Sequence, residues 1–159
     1  MSPSSRATAD DATGTPVRPA AHGRTVGRGQ GPVLCAVSLG GGTGAAARYG
    51  AGLLWPTANG AFPWTTMLVN TVGCALIGVL LVVIADLATP HRLLRPFLGT
   101  GVLGGFTTFS TYAVDVRQLT VDGHLMTATA YLAGTLVAAM AAVWTAATAT
   151  RRLLARRAR

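Results

Sequence analysis

Four long apolar stretches, almost free of charged residues, constrain the fold of this chain more than any other feature of its sequence. They are residues 33–55, 64–87, 96–116 and 125–150. Each has about the 20 mostly apolar residues that a helix needs to cross a bilayer. Only 11% of the residues are charged, against roughly a quarter in a soluble domain. The sequence therefore predicts an all-α membrane protein with four transmembrane helices in one domain, residues 32–150.

The basic residues predict how these spans are oriented. All 13 are Arg, and 11 of them lie in the two tails and in the connection between the second and third spans. The other two are Arg48, inside the first span, and Arg117, after the third. By the positive-inside rule both termini are expected in the cytoplasm, with the protein in the inner or plasma membrane. A net charge of +8 can indicate nucleic-acid binding, but Arg residues that flank apolar runs favour a topology signal, and no nucleic-acid partner is predicted.

The two ends of the chain differ from the spans. Residues 1–31 are polar and lack the apolar core of a signal peptide, so a disordered cytoplasmic tail is expected there. Residues 151–159 form a basic cytoplasmic tail. Cys35 and Cys74 lie inside apolar stretches without metal-type spacing, which favours reduced thiols.

The third span contains the sequence GGFTTFSTY, residues 104–112. Paired Gly and paired β-branched Thr disfavour a helix, so we expect this helix to be broken in its middle, between Gly104 and Ser110. Non-helical backbone at membrane depth is tolerated where it is buried or lines a cavity. Freed carbonyls would then suit a cation, and amides and hydroxyls an anion. A Gly kink satisfied by Ser and Thr hydroxyls is the alternative.

Polar side chains recur at helical spacing in the second and fourth spans. Thr66 and Asn70 share one face, as do Tyr131 and Thr135. An Asn in hydrocarbon needs a partner or a cavity; whether Asn70 only bonds a neighbouring helix stays open. The sequence has no catalytic motif, and Asp115 is expected at a solvated span end. These residues favour a pore lined by neutral donors, and not an enzyme.

Three blocks resemble the Fluc/CrcB fluoride channels, which are four-span bacterial proteins that export fluoride passively. They are GGTGAAARY at 41–49, TMLVNTVG at 66–73, and GGFTTFST at 104–111 followed by Tyr112. The resemblance extends over the transmembrane domain and implies a subunit that lowers cytoplasmic fluoride. It also implies an antiparallel dimer with two pores, each lined by both subunits.

The resemblance assigns roles to individual residues. Asn70 would donate to fluoride, and Phe109 and Tyr112 would turn their positive ring edges toward it. The backbone carbonyls of Gly104 and Thr107 would hold a structural Na⁺ at the dimer axis. Arg48 matches a family Arg, with snorkelling to the interface as its alternative role. The full set implied along the fluoride pathway is Thr66, Asn70, Phe109, Ser110, Thr111, Tyr112, Tyr131 and Thr135.

Two positions depart from the family pattern. Tyr112 stands where Phe is usual, so its hydroxyl could alter the ring contact or add a donor. A second hydroxyl one turn past Thr135 would fall at Ala139, which cannot donate.

Two other readings are weaker. A dual-topology multidrug exporter needs a Glu in its first span, which is absent here. A non-conducting helical scaffold would use the GxxxG pairs Gly40/Gly44 and Gly101/Gly105 for packing, but leaves the third span unexplained. The strong Arg asymmetry also predicts that this chain inserts in one orientation and pairs with an oppositely oriented paralogue.

Overall fold

The computed structural model describes residues 30–87, 89 and 91–157. This part of the chain is helical and contains no strand, which confirms the all-α prediction. The predicted disordered tail lies outside the described residues except for its last two. Residues 88 and 90, in the connection before the third span, and the last two residues also lie outside.

The helices follow the four apolar stretches closely. The third stretch is divided between α3 and α4, where α3 is a π-helical segment followed by one α-helical turn. The bounds are α1, Gly31–Leu54; α2, Trp64–Asp86; α3, Arg95–Leu103 and Gly104–Phe106; α4, Phe109–Val121; and α5, Leu125–Arg157.

By length and composition, α2 and α5 can each cross a membrane. The most apolar parts of these helices have mean hydropathies of 2.6 and 1.6. The 24 residues of α1 give about 36 Å of helix, but its glycines and Arg48 make it less apolar. The 13 residues of α4 give only about 20 Å, so α4 cannot span a bilayer alone.

The ends of the helices have local causes. Pro63 precedes α2, and Pro32 lies in the first turn of α1, where a missing N–H costs nothing. Gly123 has φ of +82° in the short turn between α4 and α5, a conformation that favours glycine. Nothing stops α5 at residue 150, and the helix continues through Arg157, seven residues beyond the predicted span.

The helices pack mainly as two pairs, α2 with α5 and α1 with α3. Glycine allows the close approach in each pair. A Cβ on Gly40 would lie 2.5 Å from the Phe97 carbonyl oxygen, and one on Gly78 would lie 2.6 Å from that of Val143. Such contacts are how helices associate where lipid removes the hydrophobic drive between them.

The contacts between α2 and α5 show that these two helices run in the same direction. The ring of Phe62, just before α2, lies 5.4 Å from that of Tyr131, near the start of α5. Gly78 then contacts Val143 and Ala147 farther along both helices. Residues one turn apart on α2 therefore stay level with residues one turn apart on α5.

The buried core is small and sits between α4 and the first turns of α5. It contains Leu119, Ala128 and Tyr131, which is 0% exposed. Many large apolar side chains lie on the outside instead, including Leu54, Met126 and Trp144. A surface this apolar is typical of a protein that contacts lipid or a partner chain.

Candidate functional site

Two residues with extended backbone separate α3 from α4. Thr107 has φ −76° and ψ 155°, and Thr108 has φ −147° and ψ 124°. The Thr107 N–H and hydroxyl both donate to the Leu103 carbonyl, at 3.0 and 2.9 Å. The end of α3 is thereby closed by the side chain and backbone of one residue.

Asn70 on α2 satisfies the backbone of the second extended residue. Its Oδ1 accepts from the Thr108 N–H at 2.8 Å, and its Nδ2 donates to the Thr108 carbonyl at 2.9 Å. A side-chain amide has one acceptor and two donor hydrogens. Asn70 therefore clamps the extended segment with both ends of its amide and still has one N–H to donate.

Thr108 also caps α4. Its Oγ1 accepts from the Thr111 N–H at 3.1 Å and lies 3.1 Å from Thr111 Oγ1 and 3.2 Å from Ser110 Oγ. Capping by Thr satisfies one of the unpaired N–H groups at a helix start. The positive end of the α4 dipole thus lies at the extended segment.

A cavity of about 230 Å³ lies beside this segment, between α2, α4 and α5. It brings together four of the predicted pathway residues: Asn70, Phe109, Tyr112 and Thr135. The Phe109 and Tyr112 rings lie 5.7 Å apart, and Phe109 is 79% exposed. The other lining residues are Cys74, Thr107, Thr108, Leu136 and Ala139.

Thr135 is the unusual member of this lining. Its side chain is only 5% exposed, and its Oγ1 is buried with no hydrogen-bond partner among the described residues. A buried hydroxyl without a partner costs about 1–3 kcal/mol. A hydroxyl retained at that cost is a ready donor to whatever enters the cavity.

A second cavity, of about 270 Å³, lies on the other side of Thr108. It brings together three other predicted residues, Arg48, Thr66 and Thr111. The Arg48 Nε donates to the Gly105 carbonyl at 3.3 Å, at the end of α3. A cation there complements the carbonyls that a helix end leaves unpaired.

The remaining predicted residues lie apart from both cavities. Tyr131 belongs to the buried core, and its hydroxyl donates to Asp115 Oδ2 at 3.1 Å. Ser110 is exposed beside Thr108. Gly104 is exposed at the last turn of α3, and no hydrogen bond within the described part of the chain reaches the Thr107 carbonyl oxygen.

Sequence reasoning missed two residues that organise the site. Thr108 lines both cavities and caps α4, and the signal for it was a Thr directly before the second helical half. Asp115 was expected at a solvated end but instead accepts from the buried Tyr131 hydroxyl. No sequence signal pairs these two residues, because the contact joins two helices.

Residues 35–147 match the family described as CrcB-like protein, Camphor Resistance (CrcB). The chain belongs to this family. The match contains all three sequence blocks on which the resemblance to the Fluc/CrcB proteins rested, and it confirms that resemblance.

Several relatives within reach of the CrcB family carry the same descriptive name. The chain is 63% identical over 144 residues to "Fluoride-specific ion channel FluC 1" of Streptomyces coelicolor, covering 89% of this chain and 94% of that one. It is 63% identical over 123 residues to "Fluoride-specific ion channel FluC 2" of Streptomyces avermitilis, covering 77% and 78%. It is 44% identical over 119 residues to "Fluoride-specific ion channel FluC" of Paracoccus denitrificans, covering 75% and 94%. The names are those of ion channels, in agreement with the prediction of a channel instead of an enzyme.

Proposed function

We propose that this chain is a subunit of a fluoride channel that lets fluoride leave the cytoplasm passively and so lowers its concentration there. Membership of the CrcB family and the names of three relatives support this function. The structural observation that carries it is the buried, unpartnered hydroxyl of Thr135 in a cavity shared with Asn70.

The chemistry of this cavity suits a small anion. Fluoride is strongly hydrated, so a pore has to replace its water with well-placed donors and still release it. Thr135 offers a hydroxyl and Asn70 its second amide hydrogen. Phe109 and Tyr112 can present ring edges, which carry positive partial charge. None of these donors bears a full charge, so the ion is not held as tightly as an Arg would hold it.

In this proposal α3 and α4 are the two halves of one membrane span, broken at Thr107 and Thr108. The start of α4 directs the positive end of its dipole at the anion path. Asn70 makes the break tolerable in hydrocarbon because it satisfies the Thr108 peptide groups. Asn70 is therefore both a structural clamp and a donor.

The second cavity would continue the polar path beyond Thr108. Thr66 and Thr111 line it, and Ser110 lies next to Thr108 at its edge. Arg48 supports the end of α3 in this arrangement instead of binding the ion, because its Nε is directed at the Gly105 carbonyl. Tyr131 supports the path from the core through its contact with Tyr112, whose ring lies 5.3 Å away.

A structural Na⁺ fits the carbonyls of Gly104 and Thr107. The Thr107 carbonyl has no partner in the described residues, and carbonyls freed by a helix break are suitable Na⁺ ligands. Two carbonyls from one chain are too few for the ion, so a second subunit would supply the rest. The ion would join the two broken spans electrostatically.

The same proposal places two such subunits antiparallel in the inner or plasma membrane, with both termini of this chain in the cytoplasm. The distribution of Arg, 11 against 2, supports a single orientation for this chain. The oppositely oriented subunit would then be a paralogue with reversed loop charge.

Fluoride efflux from proteoliposomes, followed with a fluoride electrode, tests the function. We expect passive efflux that does not depend on a proton gradient. Asn70→Asp would abolish it, because the new carboxylate repels both the anion and the Thr108 carbonyl; Asn59→Asp, in an exposed connection, is the matched control. Unchanged efflux in Asn70→Asp would contradict the assignment of the pathway.

The subunit composition is tested in the same assay. The chain is reconstituted alone and together with a related chain of reversed loop charge. Full efflux from the chain alone would refute the pairing with a paralogue and support a homodimer. Absence of fluoride efflux from both preparations would contradict the channel function itself.

A further inference from the structure

We propose that the Cys74 thiol is a donor on the fluoride pathway, one helical turn beyond Asn70, and that its modification blocks the channel. The inference rests on the proposed function and adds a residue to it. Cys74 is a free, half-buried cysteine on α2, and it lines the same cavity as Asn70 and Thr135.

The position of Cys74 follows from the geometry of α2 and α5. Cys74 follows Asn70 by four residues and Ala139 follows Thr135 by four, so each pair shares a helix face. The two helices run in the same direction, and all four residues line one cavity. The level of Asn70 and Thr135 is thus followed by a level formed by Cys74 and Ala139, where Ala139 has no polar group.

The hydrogen bonds of the lining leave few donors available to an ion. The hydroxyls of Thr107 and Tyr112 donate to the backbone carbonyls of Leu103 and Leu132, and the Thr108 hydroxyl bonds within its own cap. One Asn70 amide hydrogen is used for the Thr108 carbonyl. What remains is the second Asn70 hydrogen, the unpartnered Thr135 hydroxyl and the Cys74 thiol.

The buried Thr135 hydroxyl is the independent sign that this cavity receives a hydrogen-bonding ligand. An ion that leaves Thr135 along α5 meets Leu136 and Ala139, which offer it nothing. The thiol across the cavity is a weak donor, but it is the remaining side-chain donor at that level of the lining. Cys74 therefore compensates for the alanine at position 139.

A thiol at this place gives the pathway a specific chemical sensitivity. With methyl methanethiosulfonate, the Cys74 thiolate attacks the sulfenyl sulfur and forms a new S–S bond. The S–S bond of the reagent breaks, methanesulfinate leaves with the electron pair, and the thiol proton passes to buffer. The product has a methylthio group in place of the donor.

Cys35 supplies a control within the chain. It lies on α1, is exposed, and does not line this cavity. The reagent can modify both cysteines, but only the modification of Cys74 is expected to affect efflux.

The test measures fluoride efflux from reconstituted channels, in the subunit composition that conducts, before and after the reagent. We expect modification to reduce wild-type efflux at least about tenfold, since the donor is lost and the path narrowed. Cys74→Ser, which keeps a donor, should retain efflux and resist the reagent, whereas Cys35→Ala should remain sensitive. Cys74→Ala should lower efflux about three- to tenfold, the effect of one modest hydrogen bond.

Labelling of the unmutated chain gives a second readout that needs no variant. Fluoride should slow methylthiolation of Cys74, followed by mass spectrometry, and leave that of Cys35 unchanged. Equal rates for Cys74 in fluoride and in gluconate would overturn the proposal, as would full sensitivity of Cys74→Ser. If wild-type protein conducts and Cys74→Ala matches it, this inference fails alone; if no preparation conducts, the proposed function fails with it.

Discussion

The Tyr112 hydroxyl donates a 2.8 Å hydrogen bond to the backbone carbonyl of Leu132. The bond ties α4 to α5, and it uses the only hydrogen that the phenol can donate. The Tyr at this position, where Phe is usual in the family, therefore adds a link between helices and no donor to the cavity. The ring itself remains beside Phe109 and in the lining.

Tyr112→Phe is expected to conduct much as the wild type does. The ring and its edge are kept, so fluoride efflux should stay within about twofold, while loss of the bond lowers the free energy of unfolding by about 1 kcal/mol. Efflux and thermal unfolding in detergent would be measured side by side, with the exposed Tyr49→Phe as control. A large loss of efflux in Tyr112→Phe would mean that the hydroxyl contacts the ion.

Thr135→Val separates a role in conduction from a role in stability. Valine has the shape of threonine without the hydroxyl, and that hydroxyl has no partner in the fold. The free energy of unfolding should be unchanged or higher by about 1 kcal/mol, while fluoride efflux falls. Thr129→Val, exposed on the same helix, should leave efflux unchanged. Parallel losses of stability and efflux at Thr135 would contradict the donor role.

Asp115 should matter through the hydroxyl that it accepts. Asp115→Ala leaves the Tyr131 hydroxyl unpaired in a side chain that is 0% exposed, which should lower the free energy of unfolding by about 1–3 kcal/mol. Asp115→Asn keeps an acceptor and should cost much less. Thermal unfolding of both variants decides this, with Asp122→Ala as an exposed control; equal losses in Asn and Ala variants would show that charge matters instead.

Gly40 and Gly42 make a matched pair for the packing of α1 on α3. A Cβ on Gly40 meets backbone atoms of Phe97 and Gly101, whereas one on Gly42 has open space. Gly40→Ala should destabilise the protein by about 1–3 kcal/mol, and Gly42→Ala by no more than about 0.5 kcal/mol. Similar unfolding temperatures for the two variants would mean that α1 and α3 are packed less closely than described.

The helices were predictable because their signals are local. Trp64–Asp86 differs from the predicted second span by one residue, since a charge-free apolar run bounded by Pro63 leaves little choice. The predicted end at residue 150 marked a change of polarity, which is not a helix stop. Arg is a good helix former, and α5 continues to Arg157.

The contacts across helices were not predictable in the same way. Thr66 and Asn70 share a helix face, as their spacing required, yet they line different cavities because Thr108 lies between them. Composition identified residues 104–110 as poor helix, and the extended residues fall within that range. That Asn70 bonds the Thr108 backbone is a matter of rotamer and register between two helices, which a single sequence does not record.

The Asn70 clamp also bears on how the chain enters the membrane. Outside the fold, the Thr108 N–H and carbonyl would each cost several kcal/mol in hydrocarbon, and their partner is a side chain on α2. The polar stretch around Thr108 thus becomes compatible with lipid only once α2 is already in place beside it. Because α2 is synthesised first, biogenesis in chain order supplies the partner in time, and a segment excised from this context would not insert stably on its own.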